Sequence, residues 1–375
     1  MTIPAAKDKP LFTPGPLTTS LSVRTAMLRD LGSRDATFMT AVKETREKLL
    51  EIAGVSQADG YEAVLMQGSG TFGVEAVFST FSPPAARWLI VSNGAYGDRM
   101  AKICRTLKID HQVLACEETQ QPNLAEIQQT LEQSKFTALA VVHCETTSGI
   151  LNPIEEIGAI AAKQGITYFV DSMSAFGGID FSLKNCQIDC LVSSANKCVE
   201  GVPGFSFAIC KRELLERSIG NARSLSLDLV DQWQVMEKTG QFRFTPPTHV
   251  ILAFRQALAE LEAEGGAAGR AQRYRENHQT ILAETRKLGF TELLPPELQA
   301  PIITSLRYPT HPNFSFDRFY ELLSERGFVI YPGKVSRADC FRIGNIGRLF
   351  ASDMKMLASA LREVLAEMQI PVPLN

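Results

Sequence analysis

From Glu62 onward, apolar runs of strand length alternate with longer amphipathic segments, and that alternation limits the fold more than any other feature of the chain. The strand candidates are Ala63–Met66, Trp88–Ser92, Ala138–His143, Thr167–Asp171, Cys190–Ser194 and Phe205–Cys210. Helical segments separate most of them, at Gly73–Thr80, Asp98–Leu107, Asn123–Gln133 and Ile154–Gln164. Strands that are apolar along most of their length are buried on both faces. The pattern therefore predicts an α/β fold, with a mainly parallel central sheet covered by helices on both sides. Upstream, Leu11–Thr19 carries two prolines and a glycine and is expected to be extended or turning. Helical spacing follows in Leu21–Asp30 and Thr40–Ala53.

The pattern changes after Pro247. Two long helical runs, His249–Gly265 and Arg270–Leu288, precede short strands near Ile302–Leu306, Phe328–Tyr331 and Cys340–Ile343, with helices near Phe316–Arg326 and Ser352–Met368. The expected organisation is an N-terminal arm over residues 1–20, a large domain over 21–265 and a smaller α+β domain over 266–375. The 38 basic and 41 acidic residues leave a net charge of −3, so no global field draws nucleic acid or an anionic membrane. An anionic substrate would need local positive groups. No apolar run reaches the ~18 residues of a membrane span, and residues 1–16 lack the pattern of a secretory signal. Eight cysteines are scattered without a CxxC pair or zinc-ligand spacing, which predicts reduced thiols in a cytoplasmic protein and no metal.

Two strand ends carry the chemistry. Asp171 closes an apolar strand, at the sheet edge where open α/β folds place ligands. A lone aspartate there also makes a good helix cap. Twenty-six residues on, Lys197 follows the next strand candidate in Ser193-Ser194-Ala195-Asn196-Lys197 and leads into a Gly/Pro turn. A sheltered lysine loses its proton and condenses with an aldehyde. A carboxylate one strand over keeps a pyridine nitrogen protonated, and the two functions fit one flat cofactor between them.

Gln67-Gly68-Ser69-Gly70-Thr71-Phe72-Gly73 follows a strand and opens a helix, where free N–H groups and two hydroxyls suit an anion. Gly68, Gly70 and Gly73 also satisfy G-x-G-x-x-G, but a dinucleotide site wants an acid about 20 positions on, at the next strand end. That strand ends at Asn93, so a phosphate-sized ligand is the simpler reading, beside a plain strand–helix turn. Tyr96, between Gly94 and Gly97, is placed to lie flat on a ring. The hydroxyls of Glu145-Thr146-Thr147-Ser148-Gly149 suit either a ring oxygen or a helix cap. Arg342, within the apolar strand Cys340–Ile343, needs a partner, either an internal acid or a substrate carboxylate. His143 and His249 read as neutral structural histidines.

These residues resemble the fold-type I pyridoxal-5′-phosphate (PLP) aminotransferases of class V. The match runs over about residues 11–370, through Thr13–Thr19, Gln67–Thr71, His143–Gly149, Val170–Gly178, Ser193–Phe205, Phe242–His249 and Phe341–Gly347. The resemblance implies a fold-type I PLP transferase in which Lys197 binds the aldehyde and Asp171 the ring nitrogen. It implies that Ser69, Gly70 and Thr71 hold the phosphate, that Tyr96 stacks on the ring and that Thr146 meets the ring oxygen. Arg342 would clamp the substrate carboxylate, and Thr245 would reach the phosphate of a neighbouring subunit, which makes the expected partner a second copy in a homodimer. Within the group, the match points to 2-aminoethylphosphonate as amino donor and pyruvate as acceptor. Alanine–glyoxylate or serine–pyruvate chemistry is the alternative, and a cofactor-free binding protein is a more distant one. Arg34, in Leu31–Thr37, is a candidate for a phosphonate.

Overall fold

The sheet alternates as the apolar pattern requires. In the computed structural model, which describes residues 8–332 and 338–374, neighbouring strand residues face opposite helical layers. Residues 1–7 of the expected arm, and residues 333–337 and 375 of the expected small domain, lie outside the described residues. Leu89 and Val91 pack with one layer while Trp88 and Ile90 pack with the other.

Helices α1 (Leu21–Thr25) and α2 (Ala36–Ile52) lead to β1 (Tyr61–Gln67) and α3 (Gly70–Thr80). Then come β2 (Arg87–Ser92), α4 (Ala95–Thr106), β3 (Asp110–Ala115), α5 (Leu124–Gln133) and β4 (Ala138–Val142). A small hairpin, β5 (Cys144–Glu145) and β6 (Ile150–Leu151), precedes α6 (Ile154–Lys163), β7 (Thr167–Asp171), β8 (Cys190–Ser194) and β9 (Phe205–Lys211). Short α7 (Arg212–Glu216), α8 (Leu229–Thr239) and α9 (Thr248–Ala263) follow. The C-terminal part contains α10 (Gly266–Lys287), β10 (Ile303–Arg307), α11 (Phe316–Glu325), β11 (Tyr331–Pro332), β12 (Cys340–Gly344) and α12 (Ala351–Glu367).

Seven strands form one sheet in the order β1-β9-β8-β7-β4-β2-β3. Every pairing is parallel except those of β9, which runs against both neighbours. The carboxyl ends of β1, β2, β4, β7 and β8 therefore share one edge. The sheet core on one side is covered by α2, α5, α6 and α9, and on the other by α3, α4 and α8. A separate three-stranded sheet, β10-β12-β11, packs with α10, α11 and α12 around its own apolar cluster. The mainly parallel α/β architecture with a small C-terminal sheet is the one expected.

Several elements differ from the sequence reading, β3, α8 and α1 among them. β3 carries alternating exposed residues (Asp110, Gln112) and hides its strand character because it is the sheet's edge. α8, rich in polar residues, gains its place by burying Leu229, Val230 and Met236. α1 stops at Thr25, where the chain tightens into three-residue turns at Met27 and Leu28.

Two long-range ties set the site's frame. The N-terminal segment crosses to the small sheet: Phe12 N–H donates to the Val329 carbonyl (2.8 Å), Gly344 N–H to the Phe12 carbonyl (2.9 Å) and Arg348 N–H to the Thr18 carbonyl (2.7 Å). The second tie is a buried ionic cluster. Arg273 on α10 donates to Glu264 (2.6 Å), to Glu200 (2.7 Å) and to the carbonyls of Gly347 and Leu349 (2.5 and 2.9 Å). Arg270 joins Glu264 to the Cys198 carbonyl, and the Tyr274 hydroxyl donates to Glu200 at 2.7 Å. Removing one partner of such a cluster strands the others without charge compensation. Arg273→Met is therefore expected to lower unfolding free energy by roughly 3–5 kcal/mol in denaturant titration; a loss below about 1 kcal/mol would show that the cluster is not a structural tie.

Candidate active site

The strand ends bring six of the sequence-predicted residues to one cavity of about 180 Å³. Ser69, Gly70 and Thr71 form one wall, Tyr96 another, and Asp171 and Lys197 line it as well. The chain reaches this shape through close backbone approaches. Gly68 has φ +107°, and its N–H bonds the Gly204 carbonyl at 3.0 Å. A Cβ on Gly70 would fall 2.3 Å from the Met173 sulfur, and one on Gly73 2.7 Å from the Ser206 hydroxyl. A larger residue at Gly73 would push α3 off the sheet. Ser69 caps α3 with backbone geometry only, its hydroxyl making no cap bond. The opening turn of α3 thus presents N–H groups and hydroxyls to the cavity, a setting for a phosphate-sized anion.

Asp171 ends β7 and is nearly fully buried; one carboxylate oxygen accepts from Met173 N–H at 3.0 Å. Burial pushes its pKa up to about 6, a rise moderated by the Met173 N–H and by the positive charges of Arg99 and Lys197. Asp171 is therefore ionised at neutral pH. Lys197 lies three residues past β8, and its Nζ donates to the Pro14 carbonyl at 2.7 Å. Burial pulls its pKa down to about 8, against opposing effects of Cys198 and Asp171. His143 packs edge-on against Phe181, and burial lowers its pKa to about 3, so it stays neutral.

Arg342 and Thr146 meet outside the cavity lining. Arg342 Nη1 donates to the Thr146 carbonyl at 2.6 Å, and the guanidinium lies 4.8 Å from the Tyr331 ring centroid. Thr245 is exposed and does not line the cavity; its carbonyl accepts from Gln67 Nε2 at 3.0 Å. Arg34 is exposed and does not line the cavity. The position a dinucleotide-binding acid would take is occupied by a reciprocal amide pair, Asn93 with Asn152, at 2.8 and 3.1 Å.

The sequence reading missed three participants. Arg99 lines the cavity, donates to Thr71 Oγ1 at 3.3 Å and lies 4.7 Å from the Tyr96 ring centroid. Its signal was the i,i+3 spacing from Tyr96, which puts both on one helix face. Glu145, buried, accepts from the N–H groups of Tyr96 and Gly97. Pro14 acts only through its carbonyl, for which a sequence carries no residue-type signal.

The residues fit a flat aldehyde bearing a phosphate: a desolvated amine, an ionised carboxylate and a helix start share one small space. The family description "Aminotransferase class-V" matches residues 19–337. The chain is similar to a 2-aminoethylphosphonate–pyruvate transaminase of Vibrio cholerae, 51% identical over 358 residues and spanning 95% of this chain and 97% of that one. A Salmonella heidelberg protein of the same name is 49% identical with the same coverage. Among solved structures, an alanine–glyoxylate aminotransferase from Nostoc sp. superposes with TM-score 0.89, 23% identity and 97% of each chain covered. A pyridoxamine–pyruvate aminotransferase from Mesorhizobium loti gives 0.88 and 21%, covering 99% and 96%. These two speak to the fold.

Two pH-dependent outcomes follow from the site. An aldehyde needs the neutral amine, so trapping of an added aldehyde at Lys197 by borohydride should rise with a midpoint near pH 8; a midpoint near 10.4, as for an ordinary lysine, would mean that burial leaves this amine untouched. Asp171 has a raised folded pKa, so its ionisation costs stability as pH climbs from about 4 through 6. In ligand-free protein, Asp171→Asn should be more stable than the parent at pH 8, by on the order of 2 kcal/mol, and the gap should close below pH ~4. A constant difference across that range would contradict the burial effect.

Proposed function

The chain belongs to the class-V aminotransferase family, whose fold-type I architecture it has, and on that premise we propose that it uses PLP to transfer the amino group of 2-aminoethylphosphonate to pyruvate, giving phosphonoacetaldehyde and L-alanine. The observation that carries the proposal is the cavity in which Lys197, Asp171 and the start of α3 converge. The substrates rest on relatives at about 50% identity that bear that activity in their names.

Bound PLP supplies an aldehyde that condenses with amines and a protonated ring that accepts the electron pair left by a departing C–H proton. Lys197, with its pKa near 8, is partly unprotonated at neutral pH. Its Nζ would hold the cofactor between turnovers and, once freed, would take up and hand back the proton of the donor carbon's C–H bond. Asp171, ionised, would accept the hydrogen bond of the ring N–H and keep that proton in place. Ser69, Gly70 and Thr71 would hold the phosphate at the positive end of α3. Tyr96 would close one face of the ring, and the Thr146 hydroxyl would meet the ring oxygen. Arg342 pairs with the carboxylate of pyruvate.

The working form is a homodimer. Phe72 and Phe244, 51% and 47% exposed, lie beside the cradle at Gly68 and Gln67 and leave apolar surface for a second copy to cover. Thr245 of that copy then serves the neighbouring phosphate. No helix among the described residues is long and apolar enough to cross a membrane. None of the eight cysteines forms a disulfide, which accords with a cytoplasmic site of action.

A panel of amino donors assayed for alanine formed from pyruvate tests the reading. Turnover with 2-aminoethylphosphonate should exceed that with serine or other α-amino acids; good turnover with another donor and none with 2-aminoethylphosphonate would reject the substrate assignment. Lys197→Ala should lower turnover by roughly 10²–10⁴. Arg342→Ala should raise the KM for pyruvate roughly 10- to 100-fold, the worth of a lost charge-assisted hydrogen bond.

A further inference from the structure

Glu145 is an acid that the reaction does not use, and it is fully buried. Such a carboxylate is costly unless it is hydrogen-bonded. Burial alone raises its pKa, and four donors oppose that rise. One oxygen accepts from the N–H of Tyr96 (3.1 Å) and of Gly97 (3.3 Å), both in the first turn of α4. The other accepts from Thr147 N–H (3.1 Å) and Thr147 Oγ1 (2.5 Å). The same Thr147 Oγ1 accepts from Ala95 N–H at 3.0 Å. The carboxylate thus joins two chain segments, the start of α4 and the turn between β5 and β6.

Each segment carries a residue of the proposed site. α4 carries Tyr96, which walls the cavity. The turn carries Thr146, whose carbonyl receives Arg342. The join leaves no slack, because a Cβ on Gly94 would lie 2.5 Å from the Glu145 carboxyl carbon. Glutamine in its place keeps the size, but presents N–H groups to at least one pair of donors.

We infer that Glu145 is a positioning residue that fixes the spacing between the Tyr96 wall and the Arg342 clamp. This rests on the proposed site. Glu145 acts through the Thr146 carbonyl on Arg342 and through the Tyr96 backbone on the cavity.

The test uses the full chain loaded with PLP, comparing wild type, Glu145→Gln, Thr147→Val and Thr147→Ser by steady-state kinetics and thermal unfolding. Glu145→Gln should raise the KM for pyruvate tenfold or more while kcat falls less than threefold. Thr147→Val, which removes one donor, should raise it three- to tenfold, and Thr147→Ser, which restores the hydroxyl, should match wild type. In an Arg342→Ala background, Glu145→Gln should change KM by less than twofold, because the group it positions is gone. Folded variants with wild-type KM, or full additivity with Arg342→Ala, would overturn the inference. Should Glu145→Gln not fold, the Thr147 pair decides by the same criterion. A second readout separates this inference from the functional proposal: retention of PLP on dialysis. Wild type that holds PLP but makes no alanine defeats the substrate assignment alone, and Thr147→Val that then holds PLP as firmly as wild type defeats this inference.

Discussion

An amine kept away from water is the condition on which the rest of the site depends. Lys197 could have been neutralised by an acid, which would have locked its proton in place. Its Nζ meets instead the carbonyl of Pro14, an acceptor that carries no net charge. Burial lowers the proton affinity by more than the nearby charge of Asp171 restores it. Asp171, facing the same cavity, spends its strongest hydrogen bond on the Met173 backbone. Both charges remain available to a guest.

Holding such groups apart requires a rigid frame, and the frame is ionic where the chain is most contorted. Glu200 sits at φ +66°, three residues past the lysine, and its N–H bonds the Lys197 carbonyl at 2.7 Å. A non-glycine residue in that region is strained and persists only where its surroundings over-determine it. Arg273 and Tyr274 do so by gripping its carboxylate. The same arginine holds the carbonyls of Gly347 and Leu349, just beyond Arg342. One side chain thus ties the turn after Lys197 to the loop after the residue proposed to clamp substrate.

The large sheet was legible because its strands are buried on both faces and read as unbroken apolar runs. Asp171 and Lys197 were legible because both stand at the ends of such runs, where a charged residue has no core role to explain it. β3 was not, since an edge strand need not be apolar, and neither was α8, whose burial of four side chains is set by tertiary packing. Glu145 and Arg99 were in view as letters, yet their parts depend on contacts between segments about 50 and 30 residues apart. Carboxylates that serve backbone N–H groups leave no spacing rule to read. Pro14 contributes an atom that every residue has.

The N-terminal segment has a consequence for how the molecule is made. Residues 12–18 find their partners at 329, 344 and 348, in and around the small C-terminal sheet. A ribosome releases the segment well before its partners. The carbonyl that receives Nζ of Lys197 has no anchored position until residues 329–348 have emerged. The large sheet can form while synthesis continues, but the lysine's pocket is finished only when those residues are made, so a chain stopped short of them carries its reactive amine in a half-built enclosure.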